Sequence, residues 1–346
     1  MQFSLLRNTN QKISSVCLGT MTFGSQTSLD DAYELLDFAF ESGVNFIDTA
    51  EMYPIPINAE TQGLTEEYIG RWMKDRSNRS SVVLATKVTG SSPALTHIRM
   101  GEAKHNKKDI YNAINGSLKR LGTDYIDLYQ IHWPERKINN FGKLNYDYDD
   151  MEKTTSIRET LEVLAGLVKE GKVLQIGISN ESPWGVMEYL KSSEIFDLPR
   201  IISIQNPYSL LNRSFEIGLS EVSHRENVGL LAYSPLGFGV LTGKYLGGEM
   251  PVGSRRKLFD RYDRYSNREG ELATTKYIKL AQESGLDPAQ MALAFVNSRP
   301  FVMSTVIGVT SLHQLKNCLS GFNIKLGQDV NLKIEGIHKM HPNPCP

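Results

Sequence analysis

The chain reads as an α/β protein of the (β/α)8 barrel class, one domain spanning residues 1–346. Three observations predict this. Short apolar runs alternate with helix-period segments from one end to the other, in about eight strand–helix units, the arithmetic of such a barrel. Asp48, Lys87 and His132 each close an apolar run, and Tyr53 follows in the loop after the first, so polar groups gather at the C-terminal ends of neighbouring strands. Three long segments, 90–107, 133–155 and 236–267, each follow a strand, which in a barrel puts them on the face where active sites lie. An open, doubly wound sheet is the rival. It more often carries G-x-G-x-x-G after its first strand, whereas the turn at Gly19–Gly24 reads G-T-M-T-F-G. No stretch of linker composition divides the chain.

The first barrel strand is expected at Val16–Thr20. From Ser28 to Glu41, Leu29, Ala32, Leu35, Leu36 and Ala39 fall at three- and four-residue spacing, the apolar stripe of a helix. Ser28 is suited to cap that helix, Asp30 and Asp31 sit in its first turn, and Gly43 can stop it. Phe46–Thr49 is the second strand, followed by a long loop and a helix near Thr65–Lys74. Val82–Val88 leads through a polar loop to a helix from about Lys108 to Leu121, and Tyr125–His132 through another to a helix around Ser156–Glu170. The rhythm continues with Val173–Ser179, a helix through Trp184–Leu190, Ile201–Gln205, a helix around Phe215–Glu221, Gly229–Tyr233 and Ser304–Ile307. Loops longer than about 12–15 residues inside a compact domain are usually functional or disordered. Trp133, Phe141, Tyr146 and Tyr148 suit the second of them to a lid or pocket wall.

Composition narrows the function classes. Lys+Arg at 38 against Asp+Glu at 39 leaves no net field to draw nucleic acid or an anionic membrane. No apolar run approaches the ~18 residues of a membrane span. The N-terminus has no basic region followed by an apolar one, so no secretion signal is expected. Cys17, Cys318 and Cys345 are odd in number and widely spaced, and Cys17 lies in an apolar run, which fits a reduced, cytoplasmic setting. His338 and His341 have no matching carboxylate or cysteine pattern, so no metal site is expected and the C-terminal tail is expected to fray. Neither a Walker A loop nor a nucleophile elbow is present.

Singly, each of the four polar residues has an ordinary role. Asp48 could cap a helix, Lys87 could be solvated, His132 could be a satisfied histidine at a core margin, and Tyr53 could pack a surface loop. Jointly, four such groups converging on the ends of strands two, three and four form a site pattern. A phenol with a pKa near ~10 is a poor acid at neutral pH unless a cation and an imidazole stand beside it. Asp48 can keep Lys87 protonated; the ammonium is then expected to lower the pKa of Tyr53; and a neutral His132 can hold a substrate carbonyl by the phenol. Such an array delivers a proton but no reducing equivalent, so a nicotinamide cofactor is its natural complement.

The Asp48, Tyr53, Lys87, His132 arrangement resembles the tetrad of the aldo-keto reductases, and the resemblance covers essentially the whole chain. G-T-M-T-F-G at Gly19–Gly24 is similar to that family's first strand–loop turn, and L-K-R-L-G-T-D-Y-I-D-L-Y at Leu118–Tyr129 to its signature before the histidine. G-I-S-N at Gly177–Asn180, Gln205-Asn206, and Y-S-P-L-G-F-G-V-L-T-G-K at Tyr233–Lys244 are similar to its cofactor-binding strand ends. E-M-Y-P-I-P with E-T-Q-G-L-T-E downstream resembles the bacterial Tas-type NADP(H)-dependent branch. The resemblance implies NADPH-dependent reduction of a small aldehyde or ketone, with Tyr53, His132 and Trp133 at the substrate. It places Gly19, Thr20, Met21 and Asp48 at the cofactor, and Ser179, Asn180 and Gln205 on the carboxamide, with Tyr233 stacked on the nicotinamide ring. Ser234, Pro235 and Leu236 would run beneath the pyrophosphate with Lys244 beside it, and Gly239 would also meet the cofactor. Arg255 would meet the adenosine 2′-phosphate, and Gly308, Thr310 and Gln314 the phosphate and adenine. One departure concerns the adenine end: Cys318 stands where an asparagine is expected, and Asn317 falls one residue early. Two other functions fit parts of the pattern. A nucleotide-sensing regulatory subunit, as in channel-associated relatives, would bind NADPH with little turnover. A barrel lyase or isomerase would use Lys87 as a Schiff base.

Overall fold

The computed structural model describes residues 1–149, 151–259 and 264–346. An antiparallel hairpin opens the chain, β1 (Phe3–Leu5) and β2 (Lys12–Ser14). The barrel follows in alternation: β3 (Val16–Gly19), α1 (Leu29–Glu41), β4 (Phe46–Asp48), α2 (Leu64–Arg76), β5 (Val83–Val88), α3 (Lys107–Leu121), β6 (Ile126–Ile131) and α4 (Ile157–Lys169). Its second half is β7 (Val173–Ser179), α5 (Pro183–Ile195), β8 (Ile201–Pro207), α6 (Leu219–Arg225), β9 (Gly229–Tyr233), a short α7 (Arg255–Leu258), α8 (Arg268–Glu283), α9 (Pro288–Asn297), β10 (Val302–Gly308), α10 (Leu312–Gly321) and α11 (Gln328–Met340). Strands β3 to β10 close into one barrel, each parallel to its neighbours, with β10 pairing back onto β3. This is the predicted (β/α)8 architecture.

Local chemistry explains the helix starts. Ser28 accepts a hydrogen bond from the Asp31 amide at the head of α1, and Ser156 and Glu159 form a complete capping box on α4. The chain leaves α1 through Gly43 at φ 87°, a conformation that costs a residue with a Cβ.

Alternation along the strands positions the site. Successive side chains on a strand point to opposite faces, so every second residue enters the barrel. Phe46 is inward and so is Asp48; Val83 and Ala85 are inward and so is Lys87; Leu128 is inward and so are Gln130 and His132. Parallel pairing sets Asp48 beside Ala85 and Lys87 beside Gln130. The barrel is thus apolar low down, where Cys17, Phe46, Val83, Leu128 and Met303 form one buried cluster, and polar at the C-terminal mouth. The hairpin supplies Leu6 and Ile13, both fully buried, to that apolar cluster.

Several features differ from the sequence reading. The hairpin was not expected, because a three-residue strand is too short to show alternation. Helices α8, α9 and α11 fall where no element was assigned. The expectation of a frayed C-terminal tail is overturned. Asn343 Oδ1 accepts from the Arg213 amide at 2.6 Å, Asn267 donates to the Pro344 carbonyl at 2.7 Å, the Cys345 amide donates to Leu211 O at 3.0 Å, and Arg264 donates to Pro346 O at 2.9 Å. Cys345 is fully buried, so one buried side chain and hydrogen bonds between side chains and the main chain hold this segment in place. Cys17, Cys318 and Cys345 are free thiols. Among the described residues, no helix is long and apolar enough to cross a membrane, and no cluster of His, Cys, Asp and Glu could hold a metal ion.

Candidate active site

At the barrel mouth the Lys87 ammonium donates to Asp48 Oδ2 at 2.5 Å and to the Thr49 carbonyl at 2.7 Å. The other carboxylate oxygen, Oδ1, accepts from Gln130 at 3.0 Å and Gln205 at 2.9 Å. Asp48 is therefore a buried carboxylate with a cation on one oxygen and two amides on the other, which is what keeps a charge tolerable there. Burial pushes the Lys87 pKa down, but Asp48 and Tyr53 outweigh it and hold the amine above its ordinary value. Lys87 stays an ammonium.

Tyr53 packs beside this pair, with the Lys87 nitrogen 5.1 Å from its ring centroid. Its pKa departs from expectation. Burial raises it, the Lys87 charge lowers it, Asp48 raises it again, and the net position is above the ordinary phenol value. The lysine does act in the expected direction, but desolvation of the phenolate is the larger effect. The His132 ring stands edge-on to Tyr53, centroids 5.7 Å apart. Burial, reinforced by the Lys87 charge, drives its pKa well below the usual range, so the imidazole is neutral. Its buried Nδ1 has no hydrogen-bond partner among the described residues.

The structure thus brings Asp48, Tyr53, Lys87 and His132 into one constellation. It adds Gln130, which the sequence reading missed; its signal was its place two residues before His132, on the same strand face. Around the phenol, Ala50, Met52, Leu95 and Ile98 form a buried apolar cluster, joined by Met21, Ile55, Ile57 and Trp133. The Trp133 ring lies tilted against His132, centroids 4.8 Å apart, and meets Phe141 at 6.4 Å, but Phe141, Tyr146 and Tyr148 of the same loop are all exposed. Of the four aromatic residues read there as a lid or pocket wall, Trp133 is the one that packs on the cluster around the phenol. Residue 150 of that loop and residues 260–263 of the segment 236–267 lie outside the described residues.

Next to the four groups lies a band of amide and hydroxyl side chains. Ser179 donates to the Gln205 carbonyl at 2.7 Å, Asn180 donates to the His132 carbonyl at 2.8 Å, and Tyr233 donates to Asn180 Oδ1 at 2.7 Å. Asn180 and Ser234 adopt left-handed φ values of 55° and 54°, which turn the chain sharply off its strands. Thr20 closes the opposite side of the mouth, its hydroxyl donating to the Asp48 carbonyl at 2.9 Å, with Gly19 and Met21 flanking it. Pro235 and Leu236 lead from β9 towards Gly239, where φ is 88° and a Cβ would come within 2.9 Å of Lys244 Cε, so glycine lets that lysine lie against the backbone. Lys244 and Arg256 both lie over the Tyr245 ring, at 5.1 Å each, and Arg255 lies over Phe238 at 4.9 Å. At the head of α10, Thr310 donates its amide to Gln314 at 3.0 Å, and a Cβ at Gly308 would meet nothing within 4 Å. Cys318 is buried in the core, and the Asn317 amide is engaged by Asp287 and Gln290.

Residues 15–339 match the Aldo/keto reductase family. Over 346 aligned residues the chain is 49% identical to "Protein tas" of Escherichia coli (strain K12), covering 100% of both. It is 31% identical to "Uncharacterized oxidoreductase YrpG" of Bacillus subtilis (strain 168), covering 99% of this chain and 97% of that one. It is 30% identical to "Probable voltage-gated potassium channel subunit beta" of Oryza sativa subsp. japonica, covering 99% and 98%. Eight parallel strands with polar groups gathered at one mouth, and a family match over nearly the full length, agree: the chain belongs to the aldo/keto reductase family of oxidoreductases.

Proposed function

We propose that this protein reduces aldehydes or ketones to alcohols with NADPH, residues 1–346 forming one domain whose C-terminal face carries the site. The observation that carries this reading is the protonated phenol of Tyr53 set between an ammonium, Lys87, and a neutral imidazole, His132. NADPH, when bound, supplies the hydride that reaches the carbonyl carbon. Tyr53 hands its proton to the carbonyl oxygen. Lys87, kept charged by Asp48, stabilises the phenolate left behind, and neutral His132 donates a hydrogen bond that orients the oxygen. Hydride and proton together give the alcohol.

The residues present fit the cofactor. A carboxamide needs both donors and acceptors, and Ser179, Asn180 and Gln205 offer both beside Asp48. The half-buried Tyr233 ring gives a flat platform, its hydroxyl already tied to Asn180. Gly308 leaves an open ledge at a helix start, where backbone amides favour an anion. Lys244 and Arg255 supply cations for the pyrophosphate and the 2′-phosphate, the latter favouring NADPH over NADH. The apolar cluster around Tyr53, with Trp133, receives the substrate's hydrocarbon part.

Following NADPH consumption across a panel of aldehydes and ketones tests the activity. Carbonyl-dependent consumption is expected. NADPH binding without it, for every compound, would overturn the enzyme reading and favour the regulatory one, which the similarity to the potassium channel subunit keeps in view. Titrating both cofactors by protein fluorescence tests the preference, and equal affinities would sink it.

A further inference from the structure

Between Asp48 and Tyr53 lies Glu51, a carboxylate that the proposed chemistry does not use. It is only 3% exposed, and it contacts three parts of the site at once. Its amide donates to the Lys87 carbonyl at 3.3 Å, and its carbonyl accepts from the Gln62 side chain. Its Oε1 accepts from the Thr89 amide at 2.5 Å, two residues beyond Lys87. Arg99 grips both oxygens, Nη1 to Oε2 at 3.0 Å and Nη2 to Oε1 at 2.5 Å, and also donates to the Thr89 carbonyl at 3.1 Å. A paired fork of this kind fixes direction as well as distance.

The loop that delivers Arg99 is held under strain. Arg99, Met100 and Gly101 adopt successive φ values of 46°, 56° and 78°, and a Cβ on Gly101 would sit 2.8 Å from the Ser92 carbonyl. Such conformations persist where surrounding contacts over-determine them. The same loop carries Leu95 and Ile98 into the apolar cluster around Tyr53.

We propose that Glu51 and Arg99 are a positioning pair: together they lock the turn carrying Tyr53 against the strand end carrying Lys87, and hold the segment 90–107 in place as a wall of the substrate pocket. This rests on the reading of Tyr53 as proton donor and Lys87 as its partner. Glu51 touches neither substrate nor cofactor in this scheme. It acts by keeping the placement of the lysine against the phenol ring fixed and the wall closed.

The test compares Glu51→Gln, Glu51→Asp, Arg99→Met and the Glu51→Gln/Arg99→Met double variant, with Tyr53→Phe as a control on the underlying reading. Glu51→Asp keeps the charge and protects the fold while shortening the reach to Arg99. The substrate is the aldehyde of the panel that wild type reduces fastest. The charged and titratable groups whose fields reach the phenol are Lys87, Asp48, Tyr233 and, most weakly, Arg255, with His132 beside it. A looser lysine lowers the phenol pKa less, so the alkaline limb of the rate profile should move to higher pH. Glu51→Gln and Glu51→Asp should each lose at least tenfold in kcat/KM, mostly in kcat, with that shift. The double variant should be no worse than the more damaged single one, since both remove one interaction. Hydrogen exchange gives a readout free of activity: the Thr89 amide and residues 90–101 should exchange faster in Glu51→Asp than in wild type. Folded Glu51 variants with kcat within twofold of wild type, an unmoved alkaline limb and unchanged exchange would overturn the proposal. Tyr53→Phe with turnover intact would overturn the reading beneath it instead.

Discussion

A side chain's burial and partners, rather than its identity, set what it can do in this site. Tyr53→Phe removes one hydroxyl and leaves the ring and its packing in place. Turnover should fall to less than about a tenth of wild type, at least ~1.4 kcal/mol in barrier, while NADPH affinity stays close to normal. Single-turnover kinetics with the cofactor titrated separately would check it, and a larger residual rate would remove Tyr53 from the proton path. Lys87→Met should abolish turnover and also weaken the fold. The lysine is wholly buried, so its loss leaves Asp48 charged among only the amides of Gln130 and Gln205. Breaking a buried pair in this way costs roughly 3–5 kcal/mol, which a denaturant titration against wild type would read. Asp48, Lys87 and His132 were legible because each ends an apolar run, and Tyr53 because it follows the first. Glu51 and Arg99 were not, since nothing in the string ties position 51 to position 99 until the loop folds back.

At the level of elements, capping chemistry explains why the helix boundaries were readable. Ser28, the cap that the sequence marks, accepts from the backbone amide three residues on, and Asn106 and Ser156 do the same at the heads of α3 and α4. Short strands and docked tails obey no such local code. The hairpin β1–β2 matters because Leu6 and Ile13 fill the barrel floor, and the tail because Arg213, Asn267, Arg264 and Leu211 receive it. Deleting residues 343–346 removes these four hydrogen bonds, at about 0.5–1.5 kcal/mol each, together with the buried Cys345. The truncated protein should therefore be roughly 2–6 kcal/mol less stable. Thermal and urea unfolding would check this, and an unchanged midpoint would mean that the tail is only laid on the surface.

Over the whole molecule, burial of neutral imidazoles sets an acid limit on stability. His105 is pushed down to about 4 by desolvation, with Glu135, Arg99 and Asp109 as its charged neighbours, and His132 is held well below its usual range. In the unfolded chain both protonate near ~6.5. Below that pH the unfolded state binds more protons than the folded one, so stability falls as pH falls. His105 alone should remove about 3 kcal/mol between pH 6.5 and 4. Replacing it in His105→Gln should flatten the slope of unfolding free energy against pH across that window. An unaltered slope would show that other groups govern acid unfolding.

Periodicity is a local property, which is why the barrel could be read from the chain: alternation and helical spacing are written over a few residues and repeat along its length. The inward and outward faces of each strand follow from the same alternation, so Asp48, Lys87 and His132 were placed at one mouth before any contact was known. Tertiary structure alone decided the rest. It set the sign of the Tyr53 shift, because desolvation depends on everything packed around the phenol and outweighs one neighbouring charge. It brought Gln130 and Gln205 onto the second oxygen of Asp48, and it closed Arg99 onto Glu51 across a strained loop. Charge, burial and reach are sums over neighbours distant in sequence, and such sums exist only once the chain has folded.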